Sequence, residues 1–327
     1  MVAALFFAAI SGSGTATVAA MGSILIPAMV KQGYDAGFSS ALSAISGSLG
    51  TVIPPSITFI IYGMITGESI GDLFLSGIVP GLIFGFVLCI MVFIQSKKHG
   101  WKGETKRASA KEIGRLFLDT VWGLLSPVIV LGGIYSGLFT PTEAAAVAVV
   151  YSLIVGIFVY KELRFKELKE TLFSTAKTTG MILLIIMNAG IFSWVLTQQG
   201  IAANLTEMAL ALTDNKYIML FIINIVFLCA GCVMDNTSAL YILVPIIMPI
   251  AKSLDINMIQ LGVILVLNLS IGQVTPPVGP NLYVAADIGK VKFEVICRKM
   301  VPLLLMSLIA LFAITYIPAL SLCLIPS

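Results

Sequence analysis

SGSLGTVIPPSITFIIYGMITG, residues 46–67, and NLSIGQVTPPVGPNLYVAADIG, residues 268–289, decide how this chain folds. At a constant offset of 222 residues Ser48 falls on Ser270, Gly50 on Gly272, Val52 on Val274, Pro54 on Pro276, Pro55 on Pro277 and Gly67 on Gly289. The same offset pairs Thr15 with Thr237, Ile24 with Ile246 and Pro27 with Pro249, so the repeat reaches back into the preceding segment of each copy. A Pro-Pro pair stops a helix, because proline has no N–H and the residue before it avoids the α region. Either pair alone reads as a kink; recurrence beside Gly50 and Gly272 reads as a designed break.

Working outward, the chain of 327 residues is 58% hydrophobic and 11% charged, which excludes a water-soluble globule. Uncharged runs at 1–30, 36–67, 73–96, 120–142, 144–160, 178–206, 217–234, 236–251, 256–286 and 300–327 mostly reach the ~20 residues that cross a bilayer. Strand-like alternation is absent, so helices must satisfy the backbone. Runs 36–67 and 256–286 would each span roughly 45 Å as unbroken helices, too long for the hydrocarbon layer. The predicted fold class is therefore an all-α integral membrane protein with two re-entrant helical hairpins, at 1–30 and 217–252, and two Pro-Pro-broken helices.

Lys and Arg orient the chain, since basic loops stay cytoplasmic. The clusters are Lys97, Lys98, Lys102, Lys106, Arg107, Lys111 and Arg115; Lys161, Arg164, Lys166, Lys169 and Lys177; and Lys290, Lys292, Arg298 and Lys299. Crossings at 36–66, 78–95, 118–138, 143–160 and 178–198 put loops 96–116, 161–177 and 289–299 inside, with only Lys216 and Lys252 outside. An odd number of crossings separates the two hairpins, so the copies are expected to be inverted. The organisation read is a first repeat at 1–77, scaffold or arm helices at 78–216, a second repeat at 217–294 and a C-terminal scaffold helix at 295–327.

The hairpin tips are Ser-Gly-Ser-Gly-Thr at 11–15 and Asp-Asn-Thr-Ser at 235–238, all residue types that begin helices. A helix N-terminus at each tip favours a substrate carboxylate; carbonyls freed at the breaks, with Ser and Thr hydroxyls, suit Na⁺. Substrate contacts are expected from Ser13, Gly14, Thr15, Asn236, Thr237, Pro55 and Pro277. One cation is expected near each copy's tip and break, with the Thr15 and Thr237 hydroxyls among its ligands. Asp235 is an acidic group at membrane depth, or else a charged N-cap. Asn188, Gln198 and Gln199 read as hydrogen-bonders between helices. The odd set Cys89, Cys229, Cys232, Cys297 and Cys323 reads as apolar filler, and His99 as a loop residue. No Gly-rich loop followed by Lys offers an ATP site, so an ion gradient is the expected energy source. No enzyme activity, organic cofactor or nucleic-acid partner is expected.

At these residues the chain resembles the large membrane subunit of tripartite ATP-independent periplasmic (TRAP) transporters. The similarity is carried by SGSGTATVAAMGSILIPAM at 11–29, residues 46–81, LFTPTEAAAVAVVYSLI at 138–154 and VTPPVGPNLYVA at 274–285. The resemblance implies an elevator-type architecture in the bacterial inner membrane, Na⁺ as coupling ion, a small carboxylate as substrate, a small TRAP membrane subunit and a periplasmic substrate-binding protein as partners. It also implies one Na⁺ site from residues 11–15 with 50–54 and another from 235–237 with 272–276, with ligands drawn from Ser11, Ser13, Thr15, Gly50, Val52, Asp235, Asn236, Thr237, Gly272, Val274 and Thr275. Members of that family usually carry about a hundred residues before the first hairpin, so a fragment or a missing N-terminal scaffold is expected. Other readings left open are a stand-alone Na⁺/dicarboxylate symporter and a non-transporting membrane scaffold or sensor.

Overall fold

The computed structural model describes residues 1–101 and 109–325, so Lys102, Lys106 and Arg107 of the first basic cluster lie outside the described residues. Among those described, every regular element is helical: α1 Val2–Ser11, α2 Gly14–Lys31, α3 Ala36–Val52, α4 Ile57–Thr66, α5 Ile70–His99, α6 Ala110–Tyr135, α7 Pro141–Ile154, α8 Phe165–Gln198, α9 Ile201–Leu212, α10 Lys216–Gly231, α11 Asn236–Ser253, α12 Met258–Gly272, α13 Pro280–Gly289 and α14 Phe293–Tyr316, with short helical turns at Val155–Val159 and Ala319–Leu322. Among the described residues seven segments are long and apolar enough to cross a bilayer. The chain is an all-α, multi-pass integral membrane protein.

The elements repeat at the offset the sequence predicted. α2 and α11 are 18 residues each and start and stop 222 positions apart. α3 and α12 begin at the same offset, and each ends just before its Pro-Pro pair. Local chemistry sets these limits. Asp35 caps α3 by accepting from Phe38 N at 2.8 Å, and Asn257 caps α12 by accepting from Ile259 N and Gln260 N. α4 restarts at Ser56, whose hydroxyl faces Phe59 N at 3.5 Å.

The chain forms two compact units, Met1–Gly103 with Ala189–Ser327, and Glu104–Asn188. In the first unit α3 and α12 are the core, and nearly all their residues are buried. Helices in lipid gain little from burying apolar surface against one another, so close approach of small residues must hold them. α3 reads AGFSSALSAISGSLGTV, and its small side chains admit neighbours on several sides. A Cβ added at Gly47 would lie 2.1 Å from Val18 Cγ2, and one at Gly289 would lie 2.1 Å from Ser40 Oγ.

The copies exchange their second half-helices. α13 of the second copy packs on α2 and α3 of the first, while α4 of the first packs on α11 and α12 of the second. Chain directions oppose: Asn281, early in α13, reaches Ala44 O and Ser48 Oγ late in α3, whereas Gly289 at the end of α13 meets Ser40 near the start of α3. On the other side the Tyr62 hydroxyl donates to Met258 O at 2.6 Å, and its ring covers Gly262. α14 is tied to this core by a buried polar ladder: Asn268 donates to Asn224, Asn224 to Thr315 Oγ1, and Gln260 to Thr315 O.

The second unit contains α6 and α7, joined by a tight turn at Gly137. Capping boxes at Ser109–Glu112 and Thr140–Glu143 start the two helices. Tyr151 donates to Trp122 O at 2.6 Å, holding them side by side. Asn188 bonds back to Leu184 O in its own helix at 2.7 Å, so the expected bond between helices is replaced by one within α8. The five cysteines are free. His99 is the last residue of α5 rather than a loop residue, because the helix runs past residue 96, where the loop was expected to begin, before Gly100 closes it; its ring stacks on Trp101 with centroids 4.7 Å apart.

Candidate functional site

Two helix breaks, each met by a hairpin tip, form the candidate site. In the first copy α1 ends at Gly12 in the left-handed region (φ 63°), and Ser13 returns to extended backbone to begin α2. Gly12 O accepts from Ile57 N at 3.3 Å, and a Cβ at Gly12 would lie 3.0 Å from Pro55 O. The tip therefore lies along the break. Gly50 is the contact point on α3: a Cβ there would lie 2.5 Å from Thr17 Oγ1 and 2.9 Å from Ser13 O. The expected grouping of residues 11–15 with 50–54 is present as a physical neighbourhood.

The oxygens in it are not equally available. Ser13 O already accepts from Thr17 N, Thr17 Oγ1 and Ser11 Oγ, so it has little left for a cation. Thr51 O accepts from Ser56 Oγ at 2.5 Å. Gly50 O is different, because its helical donor would be the N–H of residue 54, which is proline. Among the described residues the Ser13 and Thr15 hydroxyls meet only each other, at 3.5 Å, and no side chain caps α2. Ser13 and Thr15 are half-buried, and Gly14 is buried. Val52 is buried, with its carbonyl against Gly77 of α5.

In the second copy the residues that reach the break come a turn earlier than the motif suggests. A Cβ at Gly272 would lie 2.5 Å from Gly231 Cα and 2.8 Å from Gly231 O, and Cys232 O accepts from Val278 N at 3.2 Å. Gly231 and Cys232 were not among the expected site residues; the tip motif drew attention to the N-caps that follow them. Gly272 O accepts from Thr275 N at 2.9 Å, and the Thr275 hydroxyl donates to Ile271 O at 2.8 Å. Val274 is buried, Thr275 half-buried, and Pro276 and Pro277 are exposed, whereas Pro54 is buried and Pro55 half-buried.

Asp235 is exposed and caps α11, accepting from Ser238 N at 3.1 Å and Ser238 Oγ at 2.5 Å. Asn236 is only 6% exposed, yet among the described residues neither its amide nitrogen nor its amide oxygen has a hydrogen-bond partner. Leaving such a group unpaired costs about 1–3 kcal/mol. Thr237 beside it is half-buried. Among the described residues no three His, Cys, Asp or Glu side chains cluster, so the oxygen donors at hand are carbonyls, hydroxyls and amides. Those are hard ligands that suit an alkali cation.

Five side chains that the sequence reading did not assign to the site join the copies, Ser48 and Ser270 of the repeat with Thr51, Gln273 and Asn281, all at most 8% exposed. The Thr51 and Ser270 hydroxyls are in hydrogen-bond contact. Asn281 Nδ2 lies 3.3 Å from Ser48 Oγ and 3.4 Å from Gln273 Oε1, and that oxygen occupies the space a side chain on Gly14 would need. Polar residues flanking Pro-Pro in an otherwise apolar run were the available signal.

The model of the "Tripartite ATP-independent periplasmic transporter, DctM component" family matches residues 1–320. The chain is 44% identical over 315 residues to the isethionate TRAP transporter permease protein DctMQ of Oleidesulfovibrio alaskensis, covering 96% of this chain and 50% of the relative. It is 43% identical to the C4-dicarboxylate TRAP transporter large permease protein DctM of Pseudomonas aeruginosa (99% of this chain, 76% of the relative). With the sialic acid TRAP transporter large permease protein SiaM of Vibrio cholerae it shares 36% identity (97% and 74%). The chain thus spans half the length of the first of these relatives and about three quarters of the other two. These relatives are named as permeases rather than enzymes, and the match runs through both hairpin tips and both helix breaks: the chain belongs to the DctM component family of tripartite ATP-independent periplasmic transporters.

Proposed function

We propose that the chain is the large permease subunit of a tripartite transporter that takes up a small organic oxyanion, driven by Na⁺ entering with it. The observation that carries this reading is the pairing of two broken helices with two hairpin tips, each offering under-used oxygens beside a helix N-terminus. A helix N-terminus carries roughly half a positive charge and favours an anion. The relatives' names give isethionate, C4-dicarboxylates, sialic acid and 2,3-diketo-L-gulonate, which share an oxyanion group, carboxylate or sulfonate. The first cation would be held by the Ser13 and Thr15 hydroxyls with Gly50 O; the second by Gly231 O with the Gly272–Thr275 segment. Asn236 would donate from Nδ2 to the substrate oxyanion and offer Oδ1 to the cation as a ligand oxygen.

The opposed chain directions of α13 and α3 support an inverted repeat, in which both tips meet near the bilayer midplane and slide as one body in an elevator motion. Partners in this reading are a small membrane subunit and a periplasmic binding protein, and the site is the bacterial inner membrane with loops 96–116, 161–177 and 289–299 in the cytoplasm. Reconstitution of the complete assembly in proteoliposomes tests it. Uptake of a labelled dicarboxylate or isethionate should require the loaded binding protein. Equal uptake without that protein would indicate a stand-alone symporter, and absence of uptake for every oxyanion ligand of the binding protein would contradict transport altogether.

A further inference from the structure

The 222-residue offset maps Thr51 onto Gln273 and Ser48 onto Ser270. The two bridges between the copies are therefore equivalents: Thr51 meets Ser270, and Gln273 meets Ser48 through Asn281. Each bridging residue directly follows the glycine of its break, so the peptide unit that carries Gly50 O ends on Thr51, and the one that carries Gly272 O ends on Gln273. Anchoring either side chain orients the carbonyl beside it. The far end of each bridge is a serine two residues before the glycine of the other copy.

The Thr51–Ser270 bridge also has two arrangements. Thr51 Oγ1 lies 2.7 Å from Ser48 O, and Ser270 Oγ lies 2.6 Å from Val266 O. Two hydroxyl protons thus face three acceptors, namely the two carbonyls and the partner hydroxyl. When either hydroxyl donates across the bridge, it gives up the bond to its own helix. The alternatives have the same number of hydrogen bonds and differ in which helix end is tightened. In the second bridge the Asn281 amide nitrogen similarly faces Ala44 O, Ser48 Oγ and Gln273 Oε1 with two protons.

We propose that Thr51 and Gln273 are positioning residues that couple the two cation sites, so that occupation of one helix break orders the carbonyl at the other. This rests on the Na⁺-coupled reading above. Coupling between sites requires an element with two arrangements that both ligands bias, and the paired bridges are such an element.

The test is Na⁺-dependent thermal stabilisation of the purified permease complex in detergent, titrated against choline at constant ionic strength, with no transport step involved. The wild type should titrate cooperatively, with a Hill coefficient near about 2, and Thr51→Val and Gln273→Met should each fall to about 1 while still reaching a Na⁺-stabilised state. Thr51→Ser, which keeps the hydroxyl, should retain the wild-type steepness. Wild-type steepness in both Thr51→Val and Gln273→Met would overturn the coupling, as would a non-cooperative wild-type titration. A wild type with no Na⁺ response at all would remove the Na⁺-coupled reading itself and the coupling with it. The two bridges are probed by separate variants, so failure of one to fold leaves the other to decide.

Discussion

Gly231 and Gly272 touch backbone to backbone: a Cβ on Gly272 would lie 2.5 Å from both Cα and C of Gly231. The end of α10 can approach the second break only because neither residue has a side chain. Gly272→Ala must push the two segments apart, and overpacking of this kind costs about 1–3 kcal/mol. Thermal unfolding of the purified variant should show that loss. Gly190→Ala, where nothing lies within 4 Å of the added carbon, should leave stability unchanged or slightly raised.

Asn236 separates stability from function. Its amide is buried with no partner, so Asn236→Leu removes an unpaired polar group worth about 1–3 kcal/mol of penalty. The expected result is a variant at least as stable as wild type in the absence of ligand and at least tenfold weaker in substrate or Na⁺ affinity. Thermal denaturation alongside ligand titration checks both. A stable variant with wild-type affinities would show that the amide serves neither ligand.

Thr15 offers a hydroxyl beside Ser13 and has no other strong partner. Thr15→Val keeps the shape and removes one candidate ligand. The half-saturating Na⁺ concentration in uptake assays should rise several-fold, with little change in thermal stability in Na⁺-free buffer. An unchanged Na⁺ dependence would remove this hydroxyl from the first site.

Asp35 both caps α3 and pairs with Lys299 at 3.2 Å. The cap is worth about 1 kcal/mol. The ion pair, with side chains 40% and 41% exposed, is screened and worth at most about 1 kcal/mol. Asp35→Ala should therefore destabilise more than Lys299→Ala, and Asp35→Asn should recover most of the difference. Chemical denaturation of the three variants compares them directly.

Much of this fold was legible because its signals are local. Single prolines are carried within helices here, as Pro27 in α2 and Pro249 in α11, but two in succession hold the first out of the α region, so Pro54-Pro55 and Pro276-Pro277 marked where α3 and α12 stop. The offset related the two hairpins, and α2 and α11 keep it at both ends, although their bounds were not themselves read from the sequence. The site was legible only where its residues sit on those signals. Gly231 escaped notice because a glycine closing an apolar helix looks the same whether or not another backbone rests on it. Gln273 and Asn281 escaped because their meaning lies in Gly14 and Ser48, more than 200 positions away in sequence. Asp235, an exposed carboxylate bonded to Ser238, takes the N-cap role that the sequence offered beside the functional one. Asn236, one residue on, is the buried one.

Coupling of anion uptake to Na⁺ is decided by transport in proteoliposomes. Proteoliposomes carrying the permease with its small subunit and loaded binding protein are given an inward Na⁺ gradient, and accumulation of the labelled oxyanion is compared with the same vesicles in which choline replaces Na⁺ on both sides. Concentrative uptake with Na⁺ and only background accumulation with choline is the predicted result. Equal accumulation in the two would contradict it.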